Sequence, residues 1–185
     1  KAVAFFGQSL GGYMAIQMAT HDPRVRAVAA VSPPYSADIY WNVTLASMRR
    51  ELANLYKLTE KEMGGQIDKI TLAPTLADLK CPLMISGGGH DAITPGREAW
   101  RIFEGARCDR ELVFYPRGTH DCTNVLADLR PRMVAWLARQ LEAHHGPLGP
   151  GRPRVETAPE AGMSAAEAVD PDFADELLGD APKIQ

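Results

Sequence analysis

The stretch Phe5-Phe6-Gly7-Gln8-Ser9-Leu10-Gly11-Gly12-Tyr13-Met14-Ala15-Ile16 decides how this chain folds. The apolar residues before its glycine, 2–6, predict a buried strand, and the amphipathic residues after it predict a helix. Between them lies Gly7-x-Ser9-x-Gly11, the pattern of a sharp strand-to-helix turn that holds a serine hydroxyl at the end of a sheet. We expect a Cβ at either Gly7 or Gly11 to crowd this turn. Ser9 is therefore a candidate nucleophile, and the alternative is an ordinary helix N-cap.

The composition of the 185 residues fits one globular domain or part of one. Apolar residues make up 45% of the chain, which is enough for a packed core, and the net charge of −3 gives no reason to propose nucleic acid or a membrane as a partner. Cys81, Cys108 and Cys122 lack metal-type spacing and fit free thiols in a reducing compartment. The sequence shows neither a membrane-spanning run nor a signal peptide. We therefore predict a cytoplasmic protein.

The rest of the chain alternates strands and helices. The pattern predicts strands over 1–6, 25–31, 81–86 and 111–115, and helices over 10–21, 96–105 and 124–143. Apolar strands joined by helices predict an α/β fold whose parallel sheet carries helices on both faces. Residues 35–76 are too many for a simple connection and predict a helical excursion, in which Thr59 and Glu62 have capping-box spacing.

The two ends of the sequence carry predictions of their own. Because the chain begins directly in an apolar strand, we expect it to be the C-terminal part of a longer protein, with a partial domain over 1–143. The tail over 144–185 is rich in proline, alanine and acidic residues, which predicts disorder with a transient helix over 172–178.

Two polar side chains follow the later strands. Asp91 comes just after strand 81–86, and His120 just after strand 111–115. With Ser9, they lie beyond the carboxyl ends of parallel strands, where open α/β sheets place their sites. A serine nucleophile needs a base, and that base needs a carboxylate to fix its tautomer. The order serine, aspartate, histidine therefore predicts a triad, although Asp91 alone also fits a turn carboxylate and His120 a loop histidine.

The neighbouring polar groups receive other assignments. The backbone N–H of Leu10 follows the nucleophile and is the predicted oxyanion donor; the second donor of such a site comes from a loop earlier in the chain. His90 is predicted to face solvent or anchor its loop, and Asp121 to cap the last helix. Because no histidine, cysteine and carboxylate cluster has ligand spacing, we expect neither a metal nor a cofactor.

Several motifs resemble one family. They are the run Gly7–Tyr13, Tyr40-Trp41, Arg49-Arg50-Glu51-Leu52, Gly-Gly-His90-Asp91 and Gly118-Thr119-His120. Together they resemble the C-terminal half of an α/β-hydrolase, and more narrowly the 2,6-dihydroxypseudooxynicotine hydrolase and FrsA-like esterase group, which includes fungal polyketide-shortening hydrolases. The resemblance covers residues 1–143. It implies a Ser-His-Asp hydrolase with a helical cap, often a homodimer in full length. Without earlier strands, the edge of the first strand and the apolar faces of the sheet are exposed, so we expect this stretch to be inactive alone.

The leading hypothesis is a serine hydrolase that acts on a small-molecule ester or on a carbon–carbon bond next to a ketone. In it Ser9 attacks the carbonyl carbon, His120 moves the proton, and Asp91 orients the imidazole. Tyr35, Tyr40 and Trp41 are candidate aromatic walls for the substrate, and the alternative is that they pack in the core of the excursion. Two other hypotheses remain: a dienelactone-hydrolase-like or oligopeptidase-like enzyme, and a non-catalytic hydrolase-like binding protein.

Overall fold

A computed structural model describes residues 3–43, 46–143 and 153–158. Five strands form one parallel sheet in chain order: β1 (Val3–Gln8), β2 (Val25–Val31), β3 (Leu83–Gly88), β4 (Arg110–Tyr115) and β5 (Pro153–Thr157). The α-helices are α1 (Leu10–His21), α2 (Asp38–Val43), α3 (Ala46–Leu55), α4 (Glu60–Gly64), α5 (Gly96–Gly105) and α6 (Leu126–Glu142). The predicted α/β class with a parallel sheet is therefore confirmed.

Alternation along the strands divides the core into two layers, because successive side chains point to opposite faces of a sheet. Val28 and Ile85 pack on one face, in a cluster with residues of α1 and α5. Ala29, Met84 and Val113 pack on the other face with residues of α6. Ile85 is fully buried, and burial of such a side chain stabilises the fold by about 1.5–3 kcal/mol. Helices thus cover both faces of the sheet.

Strand β1 differs from its prediction. The apolar run before Gly7 predicts a buried strand, yet Val3 is 39% and Phe6 49% exposed. The physical reason is that, among the described residues, β1 pairs with β2 alone and its other edge is open. Hydrophobicity along a strand does not reveal how many neighbours that strand has.

The excursion between β2 and β3 is a small helical unit with its own core. It contains α2, α3 and α4, and its apolar cluster includes Ile39, Leu52 and Met63. The capping box at the start of α4 is confirmed: the Thr59 hydroxyl accepts the Glu62 N–H at 3.2 Å, and the Glu62 carboxylate accepts the Thr59 N–H at 2.8 Å.

A buried carboxylate anchors this unit to the sheet. Glu98 of α5 is 1% exposed and accepts the backbone N–H of Tyr35 at 3.0 Å. It also accepts a hydrogen bond from Arg101 at 3.1 Å. The two ends of the excursion meet nearby, because the Leu72 N–H donates to the Tyr35 carbonyl at 2.9 Å. The excursion therefore leaves and rejoins the sheet at one point.

The tail prediction is corrected for one segment. Pro153–Thr157 forms β5 and pairs in parallel with β4, with Leu112 opposite Val155. Ala158 is fully buried, and its N–H donates to the Phe114 carbonyl at 2.9 Å. Backbone pairing with a neighbouring strand orders these residues in spite of their polar composition. The rest of the predicted tail, including the 172–178 helix, lies outside the described residues.

Candidate active site

The turn between β1 and α1 holds Ser9 in a strained conformation. Its φ of 50° and ψ of −126° lie in a region that non-glycine residues rarely occupy, at a cost on the order of 1–3 kcal/mol. Ser9 occupies the N-cap position of α1, yet its side chain makes no capping hydrogen bond. Its backbone N–H donates to the Val31 carbonyl of β2 at 2.8 Å. The hydroxyl is therefore free of the helix and available to other groups.

The glycines of the turn are not equivalent. A Cβ on Gly7 would overlap the Gly11 carbonyl and lie 2.7 Å from the Gly12 nitrogen, so the close approach of strand and helix requires a glycine there. A Cβ on Gly11 would meet nothing within 4 Å, so the prediction of crowding at Gly11 was wrong. The tight helix position is Gly12 instead, where a Cβ would lie 3.1 Å from the Pro33 side chain.

Asp91 lies in the loop after β3 and is almost completely buried. Its Oδ1 accepts the backbone N–H groups of Ile93 at 2.9 Å and Thr94 at 2.7 Å. A Cβ on Gly89, in the same loop, would overlap the Pro116 carbonyl, because the loops after β3 and β4 touch. The carboxylate is thus fixed by backbone donors and directed toward the loop after β4.

His120 joins the other two side chains. Its Nδ1 lies 2.9 Å from Asp91 Oδ2, and its Nε2 lies 3.1 Å from Ser9 Oγ. The Asp91 carboxylate can only accept at Nδ1, so the neutral ring carries its proton there and leaves Nε2 free to accept the Ser9 proton. The structure therefore brings the three predicted residues into one hydrogen-bonded chain, the arrangement that activates a serine.

The charges around His120 affect its basicity. Burial lowers the pKa of His120, but the hydrogen bond and charge of Asp91 and the charge of Asp121 outweigh it, so the pKa is raised overall. Asp121 Oδ1 lies 3.8 Å from His120 Nε2. The pKa of Asp121 is itself raised, chiefly by burial. Both carboxylates favour the protonated, imidazolium form of His120.

Asp121 does not cap the last helix. It lies in a 3₁₀ segment, His120–Val125, with a φ of 57°, and the N-cap residue of α6 is Val125. Its backbone N–H donates to the Ser32 hydroxyl at 3.1 Å. The cap prediction was wrong because the chain after His120 passes through the left-handed region before α6 begins.

His90 has an exposed side chain, and its N–H donates to the Gly118 carbonyl at 2.9 Å.

The predicted oxyanion donor lies at the start of α1. Leu10 is the first residue of that helix, and the first N–H groups of a helix lack intrahelical acceptors. The positive end of the helix dipole favours a developing negative charge at the same place. Leu10 is next to the Ser9 hydroxyl in the wall of one cavity. Its N–H is therefore available to a substrate oxygen.

Of the three candidate aromatic residues, the structure brings only Tyr40 to the serine. The Tyr40 hydroxyl lies 2.9 Å from Ser9 Oγ. Tyr35 packs beneath the Arg101 guanidinium, whose carbon is 4.0 Å from the ring centroid. Trp41 packs in the excursion, where a Cβ on Gly64 would lie 3.0 Å from its indole nitrogen. Trp41 thus packs in the excursion core, as the alternative interpretation expects, and so does the ring of Tyr40. Tyr35 packs instead against the cluster that α1 and α5 form on the sheet.

A cavity of about 280 Å³ opens onto Ser9. Its walls come from the turn and from the excursion: Ser9, Leu10, Tyr40, Met48, Glu51, Leu52 and Leu55. The residues from α3 repeat every three or four positions, so they share one face of that helix. Leu55 is 54% exposed because it borders this opening. The helical period of α3 was visible in the sequence, but not that its apolar face would meet the serine.

Two further observations concern what the described residues contain. Within 3–43, 46–143 and 153–158, no group of three histidine, cysteine or acidic side chains is arranged to hold a metal ion. In the same ranges, no helix has the length and apolar character needed to cross a bilayer.

Residues 1–140 match the acetyl xylan esterase (AXE1) family. None of the curated protein sequences matches the chain. Among solved structures, the 2,6-dihydroxy-pseudo-oxynicotine hydrolase is similar with 25% identity and a TM-score of 0.67, over 79% of this chain and 42% of that protein.

Two other solved structures are similar at lower identity and show the fold alone. Acetyl xylan esterase 1 from Thermoanaerobacterium sp. JW/SL YS485 is 21% identical with a TM-score of 0.54, over 73% of this chain and 45% of that protein. Acylaminoacyl peptidase from Pyrococcus horikoshii is 12% identical with a TM-score of 0.61, over 80% of this chain and 25% of that protein. This chain therefore spans less than half the length of each of the three.

Proposed function

Because this chain belongs to the acetyl xylan esterase (AXE1) family, we propose that it hydrolyses carboxylic esters with Ser9 as the nucleophile. The predicted resemblance to α/β-hydrolases is confirmed by the family and by the solved hydrolases it is similar to. The single observation that carries the proposal is the hydrogen-bonded chain Asp91–His120–Ser9, in which both contacts of His120 are 3.1 Å or shorter.

The proposed reaction follows from these contacts. Ser9 Oγ attacks the carbonyl carbon while His120 Nε2 takes the hydroxyl proton, and the imidazolium is stabilised by Asp91. The negative charge that develops on the carbonyl oxygen is stabilised by the Leu10 N–H. His120 then protonates the leaving alcohol, and water hydrolyses the acyl-enzyme by the same route in reverse.

The shape and chemistry of the cavity support a small-molecule ester as substrate. Met48, Leu52 and Leu55 form an apolar wall that suits the hydrocarbon part of a substrate, and Glu51 adds a carboxylate to the lining. Acetyl esters of carbohydrates are the first class to try, since the family is named for an acetyl xylan esterase. We propose a cytoplasmic enzyme that forms a homodimer in full length, and size-exclusion chromatography of the intact protein tests the second point.

A second candidate is hydrolysis of a carbon–carbon bond next to a ketone. It is supported by the similarity to the 2,6-dihydroxy-pseudo-oxynicotine hydrolase. The same nucleophile would serve, but the leaving group would be a carbanion and would need a delocalised acceptor. Acetyl esters, aryl ketones, lactones and peptide amides should be compared as substrates of the intact protein. Ester turnover well above the others supports the first candidate, and faster ketone cleavage supports the second.

The test of the nucleophile is Ser9→Ala in the intact protein, assayed with p-nitrophenyl acetate. We expect kcat to fall on the order of 10⁴–10⁶-fold, because removal of a nucleophile leaves only binding and oxyanion stabilisation. The matched control is Ser47→Ala on the exposed side of α3, which should keep wild-type turnover. A fluorophosphonate probe should label the wild type at Ser9 alone. Undiminished turnover by Ser9→Ala, with both variants folded, refutes Ser9 as the nucleophile. A wild type that shows neither turnover nor fluorophosphonate labelling favours a non-catalytic binding role.

A further inference from the structure

The Ser9 hydroxyl has a second partner besides His120. Tyr40 lies in α2, and its ring is packed in the apolar cluster of the excursion with 3% of its surface exposed. Its hydroxyl lies 2.9 Å from Ser9 Oγ, while His120 Nε2 lies 3.1 Å from the same oxygen. Ser9 Oγ, the reacting atom, is therefore held between an imidazole and a phenol.

Counting protons settles the direction of each bond. The Asp91 carboxylate accepts the proton on Nδ1 of His120, so Nε2 presents a lone pair. The single proton of the Ser9 hydroxyl points to that lone pair. The oxygen of Ser9 then has only lone pairs to offer Tyr40, so the phenol donates its proton to Ser9 Oγ.

The surroundings of Tyr40 keep it a donor. Burial raises the pKa of Tyr40, and the hydrogen bonds with Ser9 and Thr94 only partly offset this. The negative charges of Asp91 and Asp121 act in the same direction as burial. The phenol therefore stays protonated across the pH range in which His120 changes its charge.

We propose that Tyr40 is a further catalytic residue, whose phenol donates first to Ser9 Oγ and then to the oxyanion of the tetrahedral intermediate. When Oγ bonds to the carbonyl carbon, the electron pair of the C=O double bond moves to the carbonyl oxygen and the Ser9 proton moves to His120 Nε2. The phenol keeps its own proton throughout. Oγ becomes a weak acceptor, whereas the oxyanion on the same carbon becomes a strong one.

The cavity supports this second contact. Tyr40 and Leu10 both line it beside Ser9, so both residues border the space that a carbonyl group bonded to Oγ would occupy. The ring of Tyr40 is immobilised by packing, so donation to the oxyanion requires only rotation of the hydroxyl. A donor held in place before the reaction needs little reorganisation when charge develops, which is the condition for strong oxyanion stabilisation.

The inference rests on the proposed esterase function, and Tyr40→Phe in the intact protein tests it. We expect kcat for p-nitrophenyl acetate to fall about 100-fold, the effect of losing one oxyanion donor, with KM within about two-fold of wild type. A trifluoromethyl ketone that forms a tetrahedral adduct with the serine should lose affinity by the same factor as kcat/KM. A merely structural role would change thermal stability without this matched loss.

The matched control is Tyr13→Phe in α1. Tyr13 is also buried, and no hydrogen bond joins its hydroxyl to Ser9, Asp91 or His120 within the described ranges. This variant should keep wild-type kcat and inhibitor affinity. If Tyr40→Phe stays within two-fold of wild type while Ser9→Ala is inactive, the Tyr40 inference fails and the esterase proposal stands. If Ser9→Ala remains active, both fail.

A second replacement covers the case in which Tyr40→Phe does not fold. Replacing Tyr40 by 3-fluorotyrosine keeps the ring and the hydroxyl but makes the phenol more acidic. We expect the variant to be active near neutral pH. At alkaline pH, above the acidic limb that His120 sets, its kcat should fall at a pH where the wild-type enzyme is still active. An alkaline profile identical to that of wild type overturns the inference.

Discussion

The contrast between Gly7 and Gly11 gives the sharpest test of the turn that carries Ser9. Both belong to the motif, so the sequence pattern treats Gly7→Ala and Gly11→Ala as equally damaging. The structure does not: the new Cβ at Gly7 meets the backbone of the helix start, and the one at Gly11 meets nothing within 4 Å. One methyl group should therefore have opposite effects at two positions four residues apart.

The size of each effect follows from what must move. At Gly7 the obstacles are backbone atoms, the Gly11 carbonyl and the Gly12 nitrogen at 2.7 Å, which cannot rotate away as a side chain can. We expect a loss of about 3 kcal/mol of unfolding free energy, the upper part of the usual range for overpacking. For a domain of this size that lowers the melting temperature by about 6–12 °C. At Gly11, alanine in a helix should stabilise by up to about 1 kcal/mol.

The two variants should be measured side by side by thermal unfolding and by kcat with p-nitrophenyl acetate. Because the strand and the helix must separate around residue 7, Ser9 should move relative to His120, and a displacement near 1 Å costs roughly 100-fold in rate. Gly11→Ala should keep wild-type kcat. Equal stability and activity of Gly7→Ala and wild type would refute the reasoning, and so would equal damage by the two substitutions.

Two other predictions concern charged side chains. Asp121→Asn should lower the pKa of His120, because it removes a negative charge 3.8 Å from Nε2. The neutral base then persists to lower pH, and the acidic limb of the kcat/KM profile should move down by about one pH unit. An acidic limb at the wild-type pH contradicts this prediction. Glu98→Ala should lower the free energy of unfolding in urea by about 2–3 kcal/mol, since it leaves the Tyr35 N–H and Arg101 without their buried acceptor. Glu98→Gln should retain most of the stability. Equal losses in the two variants would contradict the anchoring role.

The sequence predicted the order of the elements well, because each strand is a short apolar run and each helix has a clear period. The bounds of α1, β2 and α5 match their predictions at 10–21, 25–31 and 96–105. The pairing of β5 was missed, since it depends on which strand lies beside it. That information comes from tertiary contacts and not from the residues of the strand itself.

At the site, the sequence located Ser9, Asp91 and His120 because parallel strands deliver their carboxyl ends to one edge. It missed the phenol contact of Tyr40, since the direction of a side chain in the excursion depends on how α2 packs. It also misjudged Asp121, whose φ of 57° is a local conformation that composition does not reveal. An N-cap residue usually has an extended backbone, as Thr59 has, whereas Asp121 lies in the left-handed region.

The bond between Ser9 and His120 joins residues that are 111 positions apart in the chain. Contacts of such long range form late and slowly in folding, because the intervening chain must first be ordered. During synthesis the amino-terminal part leaves the ribosome first, so the nucleophile exists for some time without its base. On the proposed mechanism, a nascent chain that has already made α1 has no esterase activity, and the onset of activity would report the last step of folding.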